Sequence, residues 1–388
     1  MTDVKSGPAP SAPDIPTGRS RRVRGRPQLY TSYAQDMALL DTPAKRVSTG
    51  LLVVLALALS VVLADRSLEV LAGAYVLAIG AIGLNIVTGY AGQVSLGHAF
   101  FVAIGAYTAA ALSGPPGGDV IGFGVAEIWI WLPAAGLVAA VAGVLVAPLA
   151  TRLRGLYLAI VTLGLVFLGE HVFKEWKALT GGPGVGREAA VPQLFGYRLD
   201  EDGPLGTREQ VLYLLMLVLL VVFAVAARNL ARSRVGRAFA AIRDRDIAAA
   251  VMGVPLTRFK VLAFGISSCY AGCAGALLYS VSGYVEPGSF NLLLSVQFIA
   301  MVLIGGVATV SGAIAGALFI SLLQPLTRAL PSLLPVVSAD TTQTPNVFQV
   351  ETVLYGLLIV LFLVFEPRGL FGLWVRARNY WKSWPFSY

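Results

Sequence analysis

The sequence predicts an all-α polytopic membrane protein of about ten transmembrane helices. Three observations carry that prediction. Of 388 residues, 56% are hydrophobic and only 13% are charged, against about 25% charged in a soluble domain. Successive apolar runs approach the roughly 20 residues that a helix needs to cross a hydrocarbon core. Lysine and arginine collect between those runs, because a charge in hydrocarbon is costly.

Taken in order, residues 1–46 read as a disordered basic tail, rich in Pro, Ser and Gly at 6–18 and in Arg at 19–26. It is too long and polar for the n-region of a signal peptide, so the first apolar run reads as a retained span. Spans are expected at 47–65, 68–88, 95–113, 127–150 and 155–171. Five more are expected at 210–227, 258–281, 294–310, 312–330 and 350–366. The turns at 89–94 and 309–312 are short enough to belong to broken or re-entrant helices. The permease domain is therefore 47–366, and 367–388 is a C-terminal tail.

Ten spans put both termini on one side. Assigning that side to the cytoplasm leaves 22 of the 29 Lys and Arg inside, as the positive-inside bias requires. Five spans before the middle loop and five after raise an architecture of two inverted halves, since an odd number of spans reverses topology. The basic pI of 9.6 does not point to nucleic acid, because the charge is divided among short loops. The expected partner surface is the lipid bilayer.

The most unusual string runs from 83 to 107. Gly89, Gly92, Gly97 and Gly105 allow close backbone approach where one span ends and the next begins. Asn85, Gln93, Ser95 and His98 are polar groups at membrane depth, and such groups face a bundle interior or a water-filled path. They are candidates for a translocation path, with hydrogen bonding of helix ends across the turn as the alternative. His98 invites a proton relay, but the string itself carries no carboxylate to complete one. Gly305 and Gly306, with Ser311, Gly312 and Gly316 following, repeat the glycine-rich theme. They suit close helix packing or the lining of a path.

The longest basic segment, 228–257, runs through Arg234, Gly236, Arg237, Arg243, Asp244, Arg245 and Asp246 into Ala248, Ala249 and Ala250, and stops at Gly253 and Pro255. The alanines favour helix, an aspartate suits its positive end, and Gly with Pro ends it. A short helix with a small-residue face between two spans fits a groove on another protein.

The outer loop at 172–209 holds Gly181, Gly182, Gly184 and Gly186, then Asp200, Glu201 and Asp202. It reads as a surface loop that contacts a partner, as does the loop at 331–349. Cys269 and Cys273 lie four apart on one helix face and read as packing residues, with no metal spacing. No lysine follows a glycine anywhere, so a Walker-type phosphate loop is absent. Any ATPase must be a separate chain, and neither a cofactor nor hydrolase chemistry is indicated.

The 83–107 string, the stretch from Ser233 to Ala238 with its alanine and Met252-Gly253 continuation, and Gly305-Gly306 with Ser311-Gly312 together resemble branched-chain amino acid ABC transporter permeases, the leucine/isoleucine/valine type. The resemblance covers 47–371 in order, and the 30–36 lead-in is similar to some members. It implies a complex of two ABC ATPase subunits, a second permease subunit (paralogue or identical) and an extracytoplasmic solute-binding protein, in a bacterial plasma (inner) membrane. It also implies that Arg234, Gly236, Arg237, Asp246, Ala248, Ala249 and Gly253 couple this chain to the ATPase. Family members often have an acidic residue where this chain has Ala250, so the contact leans on Asp246 and the arginines. The expected activity is ATP-driven import of branched-chain amino acids or related small polar solutes. A urea or short-amide permease of the same superfamily and an ion-coupled secondary transporter are the rivals, and an intramembrane enzyme is the most distant.

Overall fold

A computed structural model describes residues 43–117, 120–153, 155–194, 196–198, 206–328 and 346–383. Residues 1–42 of the predicted tail, the 30–36 string, Arg154, Asp200 to Asp202 and nearly all of the 331–349 loop lie outside them. Residues 53–388 form one compact unit; residues 1–52 form another, of which the opening turns of the first helix are described.

A helix stands at each predicted run: α1 (Pro43–Val62), α2 (Asp65–Asn85), α3 (His98–Ser113), α4 (Ile128–Arg152), α5 (Leu156–Glu175), α7 (Arg208–Arg232), α9 (Leu256–Ser282), α10 (Leu292–Gly305), α11 (Val310–Arg328) and α12 (Val347–Phe365). The short α6 (Lys177–Thr180) lies in the loop after α5. The basic segment forms α8 (Arg234–Val251). Residues 367–388 are not a plain tail, because α13 (Gly369–Ser383) fills most of them. Its sequence alternates Trp374 and Trp381 with Arg376, Arg378 and Lys382, the pattern of an interfacial helix.

Among the described residues, six helices are long and apolar enough to cross a membrane, or up to seven if the bent pair α12–α13 counts as one span. This is a multi-pass helical membrane protein. Two of the expected spans are short. At about 1.5 Å per residue, the 14 residues of α10 reach about 21 Å and the 16 of α3 about 24 Å. Both fall below the roughly 30 Å of the hydrocarbon core.

Burial separates inner helices from lipid-facing ones. The apolar windows of α2 and α9 are 78% and 72% buried, whereas that of α7 is 28% buried. Leu137, Leu145, Leu156, Phe167 and Val218 project from α4, α5 and α7, as lipid-facing side chains should. In lipid no hydrophobic force drives helices together, so close backbone packing must do it. Accordingly, α9 packs most extensively on α4, α3 and α2, and its contact stripe is Gly265, Ser268, Gly272, Gly275 and the two cysteines. A Cβ on Gly136 of α4 would lie 2.6 Å from the Cys273 sulfur and 3.2 Å from that of Cys269. The cysteines therefore fill the α4–α9 seam.

At one end of the bundle the described residues of the loop between α5 and α7 are tied down by strand pairing. Strand β1 (Arg187–Glu188) pairs antiparallel with β4 (Tyr284–Val285), and β2 (Gln193–Leu194) pairs with β3 (Tyr197–Arg198). The Tyr284 hydroxyl donates to the Val185 carbonyl at 2.7 Å. Gly181, Gly182, Gly184 and Gly186 all take positive φ, which only glycine adopts freely.

Candidate functional site

The two breaks in the helices meet. Helix α2 ends in a π turn, Ile86–Tyr90, and the chain then runs without helix to His98. Asn85, 1% exposed, reaches across to the break between α10 and α11. Its Oδ1 accepts from the Ala308 backbone N–H at 2.8 Å and its Nδ2 donates to the Thr309 carbonyl at 2.9 Å. Ala308 has φ +59, an uncommon conformation for a residue with a Cβ, and Asn85 holds it there. Gly89 sits against the same break, where a Cβ would lie 2.6 Å from the Ala308 nitrogen. Breaks at membrane depth are tolerated where protein groups satisfy the freed backbone, and one amide side chain does so here.

The start of α3 is satisfied likewise. The Ser295 hydroxyl accepts from Ala99 N–H at 3.0 Å, and Thr162 accepts from Leu96 N–H at 2.9 Å. His98 hydrogen-bonds the Gly80 carbonyl through Nε2 at 2.8 Å and stands edge-on to Phe298. Ser95, also buried, accepts from Gly97 N–H at 3.4 Å. Gly305 lies in the α10–α11 seam, facing the Gly312 carbonyl, where a Cβ would lie 3.0 Å from the Gly316 nitrogen. Gly306 takes φ +127 over the Arg368 carbonyl. Gln93 differs from the others: it is 6% exposed, yet neither atom of its amide has a hydrogen-bond partner.

Helix α8 begins where Ser233 accepts from the N–H groups of Val235 and Gly236, an N-cap. Gly236 is buried against the end of α7, where a Cβ would lie 2.5 Å from the Leu230 carbonyl. Helical geometry is interrupted at Arg245 (φ −156, ψ 101), so the alanine stretch forms its own last turns. Gly253 closes them with φ +85, and a Cβ there would meet open space. Of the residues expected to couple, Arg234, Arg237, Ala248 and Gly253 are exposed, Asp246 is half-buried, and Gly236 and Ala249 face the chain's own interior. The projecting tip is more apolar than its alanines suggested: Ile247 is 70% exposed, Val251 83% and Met252 84%. The signal was in the sequence, since an Ile and a Met in a basic loop need a reason.

Arg243 is the residue that sequence reasoning passed over. Its Nη1 donates to the Gly89 carbonyl at 3.0 Å, and its Nη2 pairs with Asp244 at 3.3 Å. A Cβ on Gly92 (φ +68) would lie 2.7 Å from the Arg243 Cγ. Thus α8 is keyed into the turn that follows α2. At the other end, Arg187 is 4% exposed and donates to the carbonyls of Ile121, Leu179 and Ala110 at 2.7–2.9 Å. Burial lowers its pKa from the ordinary guanidinium value, and three carbonyls compensate the charge.

Two helix breaks thus meet inside the bundle, and a basic helix is keyed to one of them. The family described as "Branched-chain amino acid transport system / permease component" matches residues 66–365. The chain is 34% identical over 335 residues to the high-affinity branched-chain amino acid transport system permease protein LivM of Salmonella typhimurium, covering 82% of this chain and 73% of the relative. It is 35% identical over 305 residues to LivM of Escherichia coli, covering 74% and 66%. The autoinducer 2 import system permease protein LsrC of an Enterobacter species is 29% identical over 281 residues, covering 71% and 67%. No solved structure matches. The chain belongs to the permease-component family of branched-chain amino acid transport systems.

Proposed function

We propose that the chain is the membrane-spanning permease subunit of an ATP-driven importer for branched-chain amino acids in a bacterial inner membrane. Its partners are two ATPase subunits, a second permease subunit and an extracytoplasmic binding protein. Both termini and the 228–257 segment are cytoplasmic, the permease domain is 47–366, and ten helices cross or enter the bilayer. The single observation that carries the coupling reading is the projecting apolar tip of α8, Ile247, Val251 and Met252, on a helix that Arg243 keys into the α2 turn. An exposed apolar tip within a basic segment has the composition of a protein interface core with a polar rim. The relatives' names supply the solute.

In this reading ATP binding by the partners moves α8, and Arg243 passes the motion to the turn at 89–93. Asn85 passes it on to the α10–α11 break, so two packed arrangements alternate. Arg234, Arg237, Asp246, Ala248 and Gly253 flank the docking tip, while Gly236 and Ala249 seat it. Asn85, Gln93, Ser95, His98, Gly305 and Gly306 lie along the moving seam.

The test is uptake of labelled leucine by vesicles holding the complete transporter, with and without internal ATP. ATP-dependent, binding-protein-dependent uptake is expected. Uptake that follows an ion gradient instead would establish the secondary-transporter rival. Met252→Asp, which puts a charge in the docking core, should abolish ATPase co-purification while the permease still inserts. Retained co-purification would remove α8 as the docking element.

A further inference from the structure

Helix α13 keeps one face that the described residues leave uncovered. Its other side packs on α10 and α11, where Gly372 is buried and Phe371 and Val375 are half-buried. Leu373, Trp374, Ala377, Tyr380 and Trp381 are exposed, Trp374 by 64% and Trp381 by 78%. At 3.6 residues per turn these five share one face about 120° wide. Arg376 and Arg378, also exposed, border it on either side. Residues 367–388 hold four basic residues and no Asp or Glu, more charge than the neighbouring Glu366 offsets by pairing with Arg376. The preceding α12 has 19 residues, about 28 Å at 1.5 Å per residue, which matches a hydrocarbon core of roughly 30 Å. Its Val360, Val364 and Phe365 are exposed up to the last turn. Helix α13 then turns 42° off the line of α12, and Gly369, with φ +64 against the Ile304 carbonyl, fixes its start.

We propose that this face of α13 lies in the headgroup layer of the cytoplasmic leaflet and binds anionic phospholipid. The inference rests on the cytoplasmic C-terminus of the reading above. Its chemistry is that of an interfacial helix, in which buried apolar area and attraction to anionic lipid add. Tryptophan and tyrosine suit a boundary that is apolar on one side and wet on the other. The guanidinium groups of Arg376 and Arg378 at the edges of the face suit phosphate, which they engage through paired hydrogen bonds. The competing occupant is an ATPase subunit. Two observations favour lipid: the helix begins where a lipid-exposed span ends, and its positive charge has no acid within the segment to balance it. The apolar tip of α8 differs on both counts, since it follows no such span and has Asp244 and Asp246 in its own helix.

The experiment uses the complete transporter in phospholipid vesicles, otherwise free of reactive cysteine, with Ala377→Cys carrying a nitrobenzoxadiazole fluorophore. Should that variant not assemble, Leu373→Cys carries the same label. The vesicles contain phosphatidylcholine and phosphatidylglycerol, and either lipid bears a nitroxide high on its acyl chain as quencher. Both lipids should quench the label, and phosphatidylglycerol should do so severalfold better at equal mole fraction. Arg378→Gln should lower that preference about fivefold, the effect of one arginine at an anionic surface. A label that neither lipid quenches overturns the proposal. So does equal quenching by the two lipids, or a preference that Arg378→Gln leaves unchanged. Quenching that appears only after the ATPase subunits are stripped away gives the face to the ATPase and overturns it too. Sidedness is read separately with dithionite, a membrane-impermeant reductant of the fluorophore. Added outside right-side-out vesicles, it should leave the label intact. Loss of the signal, with lipid quenching retained, would overturn the cytoplasmic C-terminus and leave the lipid contact standing.

Discussion

Arg243 and Asn85 join parts of the chain that lie 154 and 224 residues apart. Each does so through backbone groups, which is why neither pairing can be read from side-chain complementarity. Asn85 is recognisable in the sequence as a polar group at membrane depth, and its burial follows from that. Its partners, Ala308 and Thr309, offer only a peptide N–H and a carbonyl. Arg243 looks like any of six arginines in a basic loop, and only the positive φ of Gly92 and the carbonyl of Gly89 distinguish it. Arg243→Ala should leave ATPase co-purification intact, since the docking tip is elsewhere. It should lower ATP-driven uptake by about tenfold, the effect of losing roughly 1.4 kcal/mol, close to the lower end of the roughly 1.5–3 kcal/mol of a hydrogen bond to a charged group. Uptake at the wild-type rate would remove Arg243 from the coupling route.

At the scale of elements, the spans were legible because hydrocarbon demands apolar length, while the seams between them were legible only in part. Gly105 was expected to allow close approach, and it does so at the crossing of α3 and α9. A Cβ there would lie 2.5 Å from the Gly272 carbonyl carbon, backbone against backbone with no side chain to give way. Gly105→Val should therefore force the two helices apart, at a cost of about 1–3 kcal/mol or more. The detergent-solubilised protein should melt at a lower temperature; an unchanged melting temperature would mean that the crossing is looser than it stands here. One element departed from expectation: within the tail, Gly369–Ser383 form α13, whose aromatic and basic residues lie along a helix. Arg376 of that helix bonds the buried Glu366 at 2.9 Å, fixing the bend after α12. The tip of α8 presents Ile247, Val251 and Met252 beside the expected small residues, of which Ala248, Ala250 and Gly253 are exposed and Ala249 is buried.

For the molecule as a whole, the charge pattern makes a statement about sides that labelling can check. In a background with Cys269 and Cys273 replaced by Ala, Val251→Cys should react with an impermeant thiol reagent only from the cytoplasmic face. Val185→Cys, 72% exposed in the glycine-rich loop, should react only from outside. Labelling of both from one face would overturn the ten-span topology with cytoplasmic termini. By itself the sequence determined that the chain is helical, membrane-embedded and a member of its permease family, because apolar length, charge placement and contiguous motifs are local properties. The tertiary structure alone decided that α3 and α10 stop short, that Asn85 closes one break upon the other, and that α8 is keyed by Arg243 into the end of α2. Those contacts run from side chain to backbone between distant segments, and every residue offers the same backbone groups, so no pattern along the chain encodes which ones meet.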